Sequence, residues 1–245
     1  MYAIFHNLAD FIAPRHCIIC GKRLHSEEHA LCIACMMEMS ESQYSRGIAG
    51  NVLERSLWQT LPVVRAAAFL TYSRSNRQRD LVLRLKYYNH PGIGVHLGQM
   101  MCRPLADSDF FHGIDAIVPV PIPLGKKLRR GYNQSEMLAN GVSKATGIPV
   151  NTHIIKRRPY KVSQTRLSPA ERKENVKGSF VLHNAADMEG KHLLIVDDVI
   201  TTTATVIACG QTLCQIRGVR LSVLSLAVSE NLISNLQRSN PENEE

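Results

Sequence analysis

Residues 193–206, LLIVDDVITTTATV, limit the folds open to this chain more than any other segment. From His192 to Val196 the sequence is almost continuously apolar, as a central parallel strand buried on both faces requires. Two acids and a run of small hydroxyl residues follow, and from Thr203 to Ile216 apolar positions recur at helical spacing. A strand that passes to a helix through such a turn presents backbone N–H groups beside a helix N-terminus, which makes an anion cradle. Asp197 and Asp198, expected at a loop edge, can accept hydrogen bonds from vicinal hydroxyls such as those of a ribose. Thr201, Thr202 and Thr205 can donate to phosphate oxygens. Asp and Thr also cap ordinary helices, but that accounts for one acid, not two followed by four small polar positions.

The rest of the chain repeats the strand-helix alternation. Residues 63–72 (VVRAAAFLTY) predict a strand, and residues 77–88 a helix with Leu81, Val82 and Leu85 on one face. Residues 115–120 (DAIVPV) form a short apolar strand ended by prolines. Residues 133–145 read as a helix opened by a capping box of Asn133 and Glu136. Gly147 then signals a turn into a strand at residues 148–150, and residues 220–228 give the last strand. This pattern predicts an α/β domain over residues 60–238 with a parallel, doubly wound sheet, followed by a frayed tail at 239–245. Residues 156–177 are basic, polar and proline-interrupted, and are expected to form an exposed loop able to act as a lid.

The first 45 residues have a different character. Cys17-x-x-Cys20 and Cys32-x-x-Cys35 can bring two thiolate pairs onto one tetrahedral ion, and zinc is the natural occupant. Gly21 allows the tight turn that such a pair needs. Buried thiols or a redox dithiol are the alternatives, and a single Cys-x-x-Cys would suit the latter. Four protein thiolates leave no open coordination position, so the expected role is structural. His16, His25 and His29 lie near enough to replace a ligand, whereas Cys102, Cys209 and Cys214 sit in apolar helical contexts and are expected in the core.

Composition narrows the partners. With 44% apolar residues, the 245-residue chain can bury one sizeable core plus a small appendage. No run approaches the ~20 apolar residues of a membrane span, and MYAIFHNLADFIAP has no basic leader. The expectation is a cytoplasmic protein without membrane insertion. A formal charge of +8 favours phosphates, pyrophosphate or nucleic acid. Aromatic residues at 6% give few stacking platforms for single strands.

The Asp197–Asp198 segment resembles the phosphoribosyl pyrophosphate (PRPP) motif of type I phosphoribosyltransferases. That resemblance implies that Asp197 and Asp198 contact the ribose hydroxyls while Val199, Ile200, Thr201, Thr202, Thr203, Ala204 and Thr205 wrap the 5′-phosphate. Thr203 stands where the motif usually has glycine. If the position needs positive φ, threonine there is strained by about 1–2 kcal/mol, the reading slightly favoured; with ordinary helical dihedrals it is harmless. Further fragments are Leu85-Lys86-Tyr87, Val118-Pro119-Val120-Pro121, 130–134 (RGYNQ), Gln164, Leu167, Arg172, Asn175 and Phe180. With the cysteine module, they make nearly the whole chain similar to the competence protein F (ComF) family, whose members pair a zinc module with a phosphoribosyltransferase-like domain. Membership implies handling of DNA taken up from outside. Some members are named for gluconate metabolism, which no residue here supports.

Three function classes follow. In an enzyme, magnesium neutralises the pyrophosphate of PRPP, and the turn Pro119, Val120, Pro121 with Lys126 and Arg130 holds it. Lys127 and Arg129 add charge nearby. Arg172, on a loop resembling the mobile catalytic loop of these enzymes, reaches the leaving pyrophosphate, and an unidentified acceptor replaces it. In a binding module, PRPP or a related phosphorylated ribose is only a ligand, and the protein serves DNA uptake through partner proteins. In the third class the chain is a non-catalytic zinc-ribbon accessory that binds nucleic acid, single-stranded DNA among the candidates, and its α/β domain has lost its ligand.

Overall fold

A computed structural model describes residues 14–73, 78–87, 91–158 and 178–238. Along the chain, α1 (Ile33–Met37) and α2 (Val52–Trp58) precede β1 (Val63–Tyr72). Then come α3 (Gln78–Tyr87), α4 (Pro91–Cys102), β2 (Ala116–Pro119), α5 (Leu124–Arg130) and α6 (Gln134–Thr146). A short ribbon of β3 (Ile155–Arg157) and β4 (Phe180–Leu182) leads to β5 (His192–Ile200), α7 (Ala204–Leu213), β6 (Arg220–Ser229) and α8 (Glu230–Arg238). Among the described residues no helix is long and apolar enough to cross a membrane.

Four strands form one parallel sheet in the order β1-β6-β5-β2, so the expected fold class holds. β5 is paired on both sides, with β6 from His192 opposite Arg220 to Ile200 opposite Val228, and with β2 from Ala116 opposite Leu193 to Pro119 opposite Val196. Its side chains therefore enter two cores. Leu194 and Val196 pack with Leu97, Met101, Leu138 and Val142 from α4 and α6. Leu193 and Ile195 pack with Leu57 of α2 and Val206, Cys209 and Leu213 of α7. This is why the run has no polar alternation.

α4 and α6 approach backbone to backbone. A Cβ on Gly98 would stand 2.1 Å from the Leu138 carbonyl oxygen, and one on Gly141 would stand 2.1 Å from that of Val95. Glycine is needed at both positions for contact, not for turn geometry.

Several local expectations are revised. Asn133 caps α6, but its side chain accepts from Ser135 N–H at 3.2 Å and donates to the Val120 carbonyl at 3.1 Å. Glu136 turns to Lys127 at 3.4 Å, so no reciprocal capping box forms. The cap amide instead ties α6 to the end of β2. The strand expected at 148–150 reduces to one bridge, Val150 with Ile117. β5 runs four residues past Val196 and carries both acids within it. Of the expected loop at 156–177, residues 156 and 157 belong to β3, and 159–177 lie outside the described residues, as does the tail at 239–245.

The cysteine segment is continuous with the main core. Cys17, Leu31, Cys32 and Cys35 share an apolar cluster with Phe69 and Leu70. Ser42 N–H bonds to the Phe69 carbonyl at 2.9 Å and Thr71 N–H to that of Ser40 at 3.1 Å, which fastens residues 40–42 along β1.

Candidate functional site

The two acids end β5 with different surroundings. Asp197, 7% exposed and opposite Ser225 in the ladder, accepts from Ser135 Oγ at 3.1 Å and from the Asp198 N–H at 2.9 Å. It is therefore not at a loop edge: sheet pairing continues past it and buries it. Burial and the neighbouring Asp198 charge push its carboxyl up to about 7, against the Asp198 N–H, the Ser135 hydroxyl and Lys86. Near neutral pH Asp197 is thus only partly ionised. Asp198 accepts from the Val199 N–H at 2.7 Å and forms an ion pair with Lys86 at 3.0 Å.

Past the acids, Val199 and Ile200 still pair with Ala227 and Val228, and Ile200 is core. The turn proper is Thr201 to Thr203, with Thr201 and Thr202 exposed. Its far end opens α7, where Ala204 and Thr205 supply the first helical amides. Thr203 caps α7 at φ −71° and ψ −8° with no side-chain capping bond. The strained reading of Thr203 is overturned: the residue has ordinary right-handed helical dihedrals, which threonine adopts without penalty.

The opposite side of the site is basic. Of the turn Pro119, Val120, Pro121, the prolines have no N–H, and Val120 donates its own to the Val196 carbonyl at 2.9 Å. These three residues therefore offer an anion no free backbone N–H, and the cations beside them are side chains of α5. Arg130 is held by Gln134 Oε1 at 2.7 Å. Although Lys126 is largely open to solvent, partial desolvation followed by the charges of Arg130, Arg157, Lys86 and Arg129 presses its ammonium below the ordinary value. Arg157 lies over the Phe180 ring at 5.1 Å, where the ribbon leads into residues 159–177. Arg172, Gln164, Leu167 and Asn175 fall outside the described residues.

Sequence reasoning named both acids and the α5 cations but missed Ser135, and it quoted Lys86 without a role. Lys86 sits in one of the family-like fragments, and Ser135 directly follows the first helical residue of α6. Only the fold brings them to the acids.

The Sγ atoms of Cys17, Cys20, Cys32 and Cys35 lie within 4.8 Å of one another, with Cys20 and Cys32 at 3.7 Å. Zn–S bonds of about 2.3 Å at tetrahedral angles put sulfurs about 3.8 Å apart, so the four fit a zinc ion. None of the nearby histidines belongs to the cluster. Gly21 takes φ +72° and its N–H bonds to the Cys17 carbonyl at 2.9 Å, closing the first knuckle. Burial pushes the Cys17 thiol up, but N–H groups of Cys20, Cys32 and Ile19 outweigh it and bring it to about 7. Glu28 joins the two knuckles by accepting from His25 and Ile33 N–H, each at 2.7 Å, and those bonds hold its carboxyl below the usual range.

No family model matches the chain. Competence protein F of Haemophilus influenzae is 28% identical over 204 residues, covering 77% of this chain and 86% of that protein. DNA utilization protein YhgH of Escherichia coli (strain K12) is 27% identical over 200 residues, covering 80% and 83%. Among solved structures, adenine phosphoribosyltransferase from Leishmania donovani superposes on 72% of this chain and 78% of its own, with a TM-score of 0.39 and 12% identity. Glutamine PRPP amidotransferase from B. subtilis covers 58% of this chain and 30% of its own, with a TM-score of 0.38 and 22% identity. Both superpositions are partial.

Proposed function

Starting from a chain that is a relative of competence protein F and of DNA utilization protein YhgH, we propose that it is a PRPP-binding, phosphoribosyltransferase-like protein acting in the uptake or use of extracellular DNA. The observation that carries this reading is the acid pair at the end of a central parallel strand, followed at once by the Thr201–Thr205 turn into α7. Asp197 and Asp198 take the ribose hydroxyls, the turn and the first amides of α7 take the 5′-phosphate, and Lys126 and Arg130 take the pyrophosphate. Beside Lys126 and Arg130, magnesium arriving with PRPP would supply further charge neutralisation at the pyrophosphate. Arg172 stabilises it as it leaves, and an acceptor nucleophile forms the new bond to the anomeric carbon as the C–O bond to pyrophosphate breaks. Residues 60–238 form this domain. The four cysteines within residues 1–45, packed against the core of that domain, hold a structural zinc, because four thiolates leave no position open.

Calorimetry of PRPP with magnesium, followed by pyrophosphate release across candidate acceptors, tests the reading. The double variant Asp197→Asn with Asp198→Asn is expected to stay folded and lose PRPP binding; retained affinity would place the ribose elsewhere.

A second reading, a non-catalytic zinc-ribbon accessory that binds single-stranded DNA in the cytoplasm, draws on α5. Leu124 and Leu128 are 68% and 76% exposed on a helix that also carries Lys126, Lys127, Arg129 and Arg130. Such a face offers apolar surface among cations. Salt-dependent binding of single-stranded DNA, together with no PRPP binding by the wild-type protein, would favour it.

A further inference from the structure

We propose that Lys86 is the residue that makes this site prefer a pyrophosphorylated ribose over a simple ribose phosphate, because it stands between the acids that take the diol and the cations that take the pyrophosphate. The inference rests on the PRPP reading above and adds a determinant of specificity to it.

Lys86 is unlike a surface lysine. Its ammonium lies 3.0 Å from Asp198 Oδ2, and the two side chains are only 24% and 18% exposed. Its backbone is clamped as well. The preceding Leu85 is fully buried, and its carbonyl accepts the buried Tyr132 hydroxyl at 2.6 Å. Tyr132 directly precedes Asn133, Gln134 and Ser135, so the last turn of α3 is fixed to the same stretch that delivers Ser135 to Asp197.

Chemistry gives this placement a second use. An ammonium has three N–H donors, and the bond to Asp198 engages one of them. Lys86 is paired with Asp198, and its charge also acts on Lys126 together with those of Arg130, Arg157 and Arg129, against two carboxylates of which Asp197 is partly protonated near neutral pH. Positive charge is in excess, which suits a ligand with several negative charges. Ribose 5-phosphate can satisfy the acids and the threonine turn. Only a ligand that also carries a pyrophosphate uses the cations beyond them, and Lys86 is bonded directly to Asp198.

The test compares PRPP and ribose 5-phosphate by calorimetry at equal magnesium on the full chain and on Lys86→Ala, Lys86→Gln and Lys86→Arg. Thermal melting checks the fold of each variant. If Lys86→Ala does not fold, the glutamine and arginine variants decide. Loss of a charge-assisted hydrogen bond to pyrophosphate predicts PRPP affinity reduced about tenfold or more in the alanine and glutamine variants, with ribose 5-phosphate changed by less than about twofold. Arginine is expected to restore most of the PRPP affinity. Equal losses for both ligands would mean that Lys86 acts only by holding Asp198, and would overturn the proposal. Unchanged PRPP affinity in Lys86→Ala overturns this inference alone, whereas a wild-type protein that binds neither ligand overturns it together with the PRPP reading.

Discussion

A single methyl group at Gly141 tests whether the acid pair depends on the helix packing beneath it. The added Cβ would lie 2.1 Å from the Val95 carbonyl oxygen and 2.8 Å from the Gly98 Cα, where ordinary contact begins near 3.4 Å. Both obstacles are backbone atoms of α4, so no side chain can rotate away and the two helices must part by about 1 Å. Overpacking of this kind costs about 1–3 kcal/mol, and the better helix propensity of alanine returns up to about 1 kcal/mol. The obstruction is rigid, so Gly141→Ala is expected to lose about 1–2 kcal/mol, or roughly 2–8 °C of melting temperature for a chain of this size. α6 also delivers Ser135 to Asp197, and PRPP affinity is expected to fall with it. Gly92→Ala is the control. Gly92 lies in the first turn of α4, and an added Cβ there meets nothing within 4 Å. That change is expected to be neutral or slightly stabilising. Urea and thermal unfolding followed by circular dichroism, with PRPP calorimetry beside them, give the comparison. A Gly141→Ala protein as stable as Gly92→Ala would refute the argument.

Elemental analysis is expected to find one zinc per chain, and Cys17→Ser or chelation to remove it. Because Cys17, Cys32 and Cys35 share a core with Phe69 and Leu70, removal should lower the melting temperature of the whole described fold by at least about 5 °C, not of a detached module alone. Asp197 gives a pH signature. Its folded pKa of about 7 lies above the usual carboxylate value, so the folded protein keeps a proton that the unfolded chain releases. That contribution is complete below about pH 4 and is lost as pH rises through 7. Wild-type stability should therefore fall relative to Asp197→Asn across this window, read as the difference in urea midpoints; a constant difference would contradict the shift. Thr203→Gly is expected to leave PRPP affinity unchanged or weaker, since Thr203 already has helical dihedrals; a tighter complex would restore the strained reading.

What the sequence discloses here is local period, and the hidden parts are those built from contacts at long separation. β1, β5 and β6 were legible because each is a long apolar run set by sheet burial on both faces. α4 was not: Pro91, Gly92, Gly94 and Gly98 weaken its helical signal, and the reason for Gly98 is a partner at position 141 that no local window contains. α5 was hidden in the same way behind Pro119, Pro121, Pro123 and Gly125, and the three-residue strands β3 and β4 give too little alternation to register. The site divides along the same line. Asp197 and Asp198 come with the strand that carries them, so a strand-turn-helix pattern was enough to find them. Ser135 is 62 residues away from Asp197 in the chain, and Lys86 precedes both acids by more than a hundred positions. They reach the acids only because α6 rests on α4 through paired glycines and because Tyr132 holds the end of α3. The chemistry of the site is written in β5 and the turn after it, and its tuning, a carboxyl moved to about 7 and a lysine bonded to its neighbour, is set by the packing of helices whose own sequence signals are weak.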